Sequence, residues 1–245
     1  MIIRFTYLLI PLTLLTFFDQ TRFKKKDLLG QSKINFYDES IKLLPEAGKA
    51  FMAMREAALV EGIEIEIVSA YRSYERQKFI WNRKFYSNAQ NGISPKENIN
   101  KIIEYSTLPG TSRHHWGTDI DIIDGKKPKE GDLLLEEKFH ENGPYVRLRE
   151  WMEKNANRFG FYLPYTDSPK RKGFNYEPWH YSFAPLSIPM LEEYLKLDLI
   201  NLLVPKDLNG ENSIDEKFLE SYIDENVLGI NPKTKRFLKT QLSFK

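Results

Sequence analysis

The sequence holds four histidines and no cysteine, so thiolate metal sites, a cysteine nucleophile and disulfides are excluded at the outset. Three short clusters gather most of the side chains that could do chemistry. The first is Ser69-Ala-Tyr-Arg-Ser-Tyr-Glu-Arg-Gln77. The second spans 109–121 and contains His114, His115, Asp119 and Asp121. The third is Glu177-Pro-Trp-His180. Taken singly, each has an ordinary explanation: a histidine on an apolar strand packs in a core, and an alternating Asp-Ile-Asp lines a solvent-facing strand edge. Together they hold the donors of a catalytic zinc centre, which takes three nitrogen or oxygen ligands and keeps a fourth position open. His114 and His180 are two candidates. Asp119 and Asp121 fall on one strand face, so spacing alone lets either be the third. Pro178 biases Glu177 toward an extended conformation, from which it could reach over the site without being a ligand. A non-ligating carboxylate beside a metal-activated water is the general base of metal-assisted hydrolysis.

Such a constellation needs rigid elements to hold it. Residues 64–68 alternate Glu and Ile, which sets Ile63, Ile65 and Ile67 toward a core and the glutamates toward water. Residues 119–123 alternate again, and Asp124-Gly125 is a turn signal. The spacing predicts further strands at 161–163 and 179–183. Helices are expected at 45–61, with Phe51 and Met54 on the apolar face, at 73–86, and at 145–159 before Gly160. Ser73 is the expected N-cap of the second, with Arg76 and Lys84 on its wet side. The stretch after it, rich in Asn, Gly, Pro and Lys, reads as a loop. Strands mixed with helices without regular βαβ alternation favour an α+β fold with an antiparallel sheet.

The 245-residue chain is long enough to bury a core without covalent staples. Its 36 Lys+Arg against 34 Asp+Glu leave a net charge of +2, which argues against a nucleic-acid footprint spread over the whole surface. At the N-terminus, one Arg precedes an uncharged apolar run from Phe5 to Phe18, of signal-peptide length. Residues 1–26 are therefore expected to be an export signal or uncleaved membrane anchor, although no A-x-A-like cleavage site is present and basic residues follow. An amphiphilic helix lying on the domain is the competing assignment. Residues 27–204 form the expected catalytic domain. Residues 205–245 are a polar C-terminal extension with one helical stretch, at 214–227, packed on the flank by its apolar spacing.

The three clusters resemble the motifs of the VanY-type D-alanyl-D-alanine carboxypeptidases, zinc peptidases related to VanX and LdcB. The family pattern S-x-H-x-x-G-x-A-x-D falls on Ser112, His114, Gly117 and Asp121; E-x-W-H falls on Glu177, Trp179 and His180; S-x-Y-R-S-x-x-x-Q falls on Ser69, Tyr71, Arg72, Ser73 and Gln77. The chain departs at Asp119, where the pattern has Ala, and carries His115 beside the inferred ligand. The resemblance implies a Hedgehog/DD-peptidase-like fold, an antiparallel sheet flanked by helices. It implies Zn2+ held by His114, Asp121 and His180, Glu177 as general base, and Arg72 at the substrate's carbonyl oxygen or carboxylate. Ser112, Gln77 and Tyr71 are implied substrate contacts; loop and helix hydrogen bonding, and core packing for Tyr71, are their competing roles. The implied substrate is the peptidoglycan stem peptide, trimmed of its terminal D-Ala, in an exported, periplasmic or cell-envelope setting without nucleic acid. The alternatives are a peptidoglycan endopeptidase, an L,D-carboxypeptidase, or a non-catalytic zinc-stabilised wall-binding module, which would have no use for Glu177 as a base.

Overall fold

A computed structural model describes residues 23–204 and 206–234. The elements run α1 (Lys25–Leu28), α2 (Pro45–Val60), β1 (Ile65–Ser69), α3 (Tyr74–Gln90), α4 (Pro95–Ile102), β2 (Asp119–Asp124), α5 (Val146–Asn155), β3 (Phe161–Tyr162), β4 (His180–Phe183), α6 (Ala184–Tyr194), α7 (Leu199–Leu202) and α8 (Glu216–Tyr222). The four strands form one antiparallel sheet in the order β1-β2-β4-β3, so the molecule is α+β as its sequence pattern implies.

Each face of the sheet has its own core. Ile120 and Ile122 of β2 join Phe51 and Met54 of α2 and Leu148 and Met152 of α5 in one buried cluster. By the period-two rule, Asp119 and Asp121 then point to the opposite face. A second cluster lies beyond that face, where Trp81 of α3, Ile99 of α4 and Leu191 of α6 meet Leu219 and Tyr222 of α8. Each large apolar side chain so buried contributes roughly 1.5–3 kcal/mol. The strip of carboxylates thus runs between two dry cores.

Local chemistry explains the element ends. The Ser73 side chain accepts a hydrogen bond from the Arg76 amide at 3.2 Å, which caps α3 as expected. The expected loop after α3 contains a helix instead. Pro95 sits in the first turn of α4, Ile99 and Ile102 are buried, and Asn98 donates to the Phe85 carbonyl at 2.8 Å. The polar composition hid an apolar pair with i, i+3 spacing. Residues 1–22 of the expected signal or anchor segment, Pro205, and residues 235–245 lie outside the described residues. No helix among the described residues is long and apolar enough to cross a membrane.

Candidate active site

Register builds the site. Antiparallel pairing of β2 with β4 sets Asp121 opposite His180 and Asp119 opposite Ser182. The 3-10 turn Arg113–Trp116 precedes β2 and carries His114; Gly117 leaves that turn at φ 65°, a conformation costly for any residue with a Cβ. The His114 Nδ1 lies 2.7 Å from the Ala70 carbonyl. A carbonyl can only accept, so Nδ1 carries a proton, which leaves Nε2 to face Asp121 Oδ2 at 3.2 Å. His180 Nδ1 lies 3.3 Å from Asp121 Oδ1. The donor atoms of His114, Asp121 and His180 lie within 4.8 Å of one another, and all three residues are buried. Asp121 Oδ1 makes no hydrogen bond. Two histidine nitrogens and a buried carboxylate oxygen without a hydrogen-bond partner converge here, and two nitrogens with one carboxylate are a fitting donor set for zinc.

Glu177 stands at the edge of this set. Its Oε2 is 3.0 Å from His180 Nδ1, and its backbone N–H donates to the Tyr165 carbonyl at 3.2 Å. The ring nitrogen nearest the donor set is therefore also the one nearest the candidate base.

Asp119 is wholly buried behind the site. Its Oδ2 lies 2.9 Å from His180 Nε2 and 3.0 Å from Arg113 Nε; its Oδ1 accepts from Thr118 Oγ1 at 2.7 Å and Ser182 Oγ at 2.8 Å. Burial alone would raise its pKa. The Arg113 guanidinium and the hydrogen-bonded His180 ring together outweigh burial and hold the carboxyl well below the usual carboxylate range. Asp121 is likewise pushed up by burial but pulled below its ordinary value by His114. Of the two carboxylates that spacing left open, Asp121 joins the donor set and Asp119 grips the far side of a histidine in it.

Arg72 is pinned through both main chain and side chain. Its N–H donates to the His114 carbonyl at 3.1 Å, and its own carbonyl accepts from His115 Nδ1 at 2.6 Å. The guanidinium donates to Gln77 Oε1 at 3.0 Å and Ser69 Oγ at 3.1 Å, and approaches Asp121 Oδ2 at 4.0 Å. His115 accepts from the Gly110 amide through Nε2 at 3.0 Å, and burial pulls its pKa down to about 3. It is a neutral strut beneath the site.

A cleft of about 580 Å³ opens over the donor set, lined by Arg72, Ser112, His114, Asp121, Glu177 and His180 among others. Gln77 and Tyr71 do not line it. Gln77 bonds Arg72, the Ser106 hydroxyl and the Thr107 carbonyl, and the Tyr71 hydroxyl donates to the Ser32 carbonyl at 3.2 Å, so the polar groups of both are engaged within the protein. Two basic cleft residues are among those that escaped sequence reasoning. Arg113 lay unmarked inside the second motif. Lys84, expected on the wet side of α3, lines the cleft. Its signal was present in the spacing, because Tyr74, Gln77, Trp81 and Lys84 form one helical stripe.

A buried His-Asp-His donor set with a further carboxylate at its edge is the equipment of a metallopeptidase. The model for the VanY family, D-alanyl-D-alanine carboxypeptidase, matches residues 40–186, and the chain belongs to that family. All the donor residues and Glu177 fall inside the match. The chain is 32% identical over 120 residues to an uncharacterized protein of Haemophilus influenzae, covering 48% of this chain and 88% of that one. It is 28% identical over 153 residues to a D-alanyl-D-alanine carboxypeptidase of Enterococcus faecalis, covering 58% of this chain and 52% of that one. It thus spans about half the length of the Enterococcus relative. A solved structure of VanYB in complex with D-alanine-D-alanine is 23% identical, covers 64% of this chain and 83% of that one, and superposes with a TM-score of 0.48, too distant a likeness to carry weight.

Proposed function

We propose that this protein is a zinc-dependent carboxypeptidase that removes the C-terminal D-alanine from peptidoglycan stem peptides. The observation that carries the reading is the Asp121 carboxylate set between two histidine nitrogens with its Oδ1 unbonded, and Glu177 Oε2 beside one of those nitrogens. His114 Nε2, Asp121 and His180 Nδ1 would hold the zinc. Bound there, the metal supplies Lewis acidity toward the scissile carbonyl and the attacking water. Glu177 takes the water's proton and returns it to the leaving amine. Arg72, aimed at the donor set and held by Gln77 and Ser69, stabilises negative charge developing on the carbonyl oxygen. Ser112 offers a hydroxyl in the cleft wall. The wall-peptide substrate and the apolar run at residues 5–18 support action in the cell envelope after export, with residues 1–26 as signal or anchor.

Mass spectrometry of defined muropeptides incubated with zinc-loaded protein tests the reading. Loss of a single terminal D-alanine from pentapeptide stems is expected. Cleavage confined to cross-links or to the preceding L,D bond would replace it with an endopeptidase or L,D-carboxypeptidase activity.

A further inference from the structure

Three Arg or Lys side chains line the cleft: Arg72, Lys84 and Arg113. Two are already committed. Arg72 is tied to Gln77 and Ser69 and faces Asp121, and Arg113 is neutralised by Asp119 and also donates to Ser182. Lys84 makes no hydrogen bond or ion pair with any described residue. It is half-buried on α3, two turns beyond Gln77 on the same stripe. Burial and the neighbouring Arg72 pull its pKa down despite an opposing pull from Glu177 and Asp132, so the site disfavours its charge until an anion makes direct contact. Asp132, Glu136 and Glu137 also line the cleft, and their charges turn a carboxylate away.

An exopeptidase must recognise a free chain end as well as a peptide bond. Resting on the carboxypeptidase reading above, we propose that Lys84 is the specificity-determining cation that receives the substrate's terminal carboxylate, leaving Arg72 to the scissile carbonyl. The division of labour follows from the restraint on each. Arg72 is a rigid fork pinned at both ends beside the donor set, suited to a fixed oxyanion. Lys84 is a flexible point charge without a partner, suited to a carboxylate that arrives with the substrate.

The test is calorimetric titration of an N-acetylated peptide ending in D-Ala-D-Ala, as free acid and as C-terminal amide. It is made on zinc-loaded Glu177→Gln protein, to suppress turnover, with and without Lys84→Met. Lys84→Met is expected to weaken free-acid binding about tenfold, the scale of one charge-assisted contact, and to leave amide binding unchanged. Lys84→Arg should restore most of the loss. Equal weakening of both peptides, no weakening, or no measurable binding of the free acid by the Glu177→Gln parent would overturn the proposal. Turnover by the otherwise wild-type protein separates the two claims. D-alanine release with acid-over-amide preference intact in Lys84→Met sinks the Lys84 assignment alone. Lys84-dependent binding without any D-alanine release sinks the carboxypeptidase reading alone.

Discussion

At the scale of single residues, the departure at Asp119 acquires a physical meaning. An alanine there would leave His180 Nε2 and Arg113 Nε facing an apolar methyl, whereas the carboxylate orients the ring and neutralises the guanidinium. Asp119→Asn should weaken zinc about 10–100-fold in a chelator competition, the usual range for partners of a ligating histidine. Unchanged affinity would reduce Asp119 to a counter-ion for Arg113. The same contacts set a pH dependence. Without metal, burial opposes a charge on His180, but hydrogen bonds to Asp119 and Glu177 outweigh it and push the pKa up to about 10. The ring therefore holds its extra proton at neutral pH, and zinc has to displace it. Apparent zinc affinity should rise with pH through the neutral range, by at most about tenfold per unit for one proton released. Titration in buffers of different ionisation enthalpy reads that proton directly; zinc uptake without proton release would contradict it.

At the scale of elements, sequence reasoning succeeded where a local rule suffices. Ser73 caps α3, the Glu-Ile alternation gives β1, and the family motifs locate His114, Asp121, Glu177 and His180 within one site. It stopped where the deciding partner is far along the chain. Spacing could not separate Asp119 from Asp121, because only the register against β4 does so. Lys84 was misread for a related reason: a polar side chain on a helix looks solvated until the neighbouring elements show which face is enclosed. One backbone contact couples elements into the site. A Cβ at Gly30, which sits at φ 70° just after α1, would lie 2.4 Å from His115 Nδ1. His115 braces the Arg72 carbonyl, so the clash passes to the guanidinium. Gly30→Ala should destabilise the fold by about 1–3 kcal/mol in denaturant unfolding, the scale of overpacking. A fully wild-type midpoint would show that the α1 turn gives way freely.

At the scale of the whole molecule, residues 206–234 share a core with the rest. Leu208, Ile214, Leu219, Tyr222 and Ile230 are buried together with Trp81 and Leu108, and the Trp81 indole donates to the Asn209 carbonyl at 2.9 Å. Tyr222 also donates or accepts at 2.9 Å with Thr111 and accepts from the Leu108 amide at 3.1 Å, on the loop that leads to His114. We propose that this segment supports the catalytic domain from behind. Truncation after residue 204 should strip the second core and yield insoluble or cooperatively destabilised protein; a soluble product with full zinc uptake would make the segment an independent appendage. The apolar spacing at 214–227 predicts that this stretch packs on the flank, but its partners are not visible in local periodicity, since they are scattered from α1 to residue 230.

Glu177 is where these scales meet, because the β2–β4 register, its contact with His180 and the cleft all matter only if its carboxylate moves the proton. The decisive measurement is D-alanine release by Glu177→Ala against wild type, both at verified zinc content. Retention of the metal with turnover reduced at least about a hundredfold is expected for a general base. Near-normal turnover at full zinc occupancy would contradict the mechanism and place the base elsewhere.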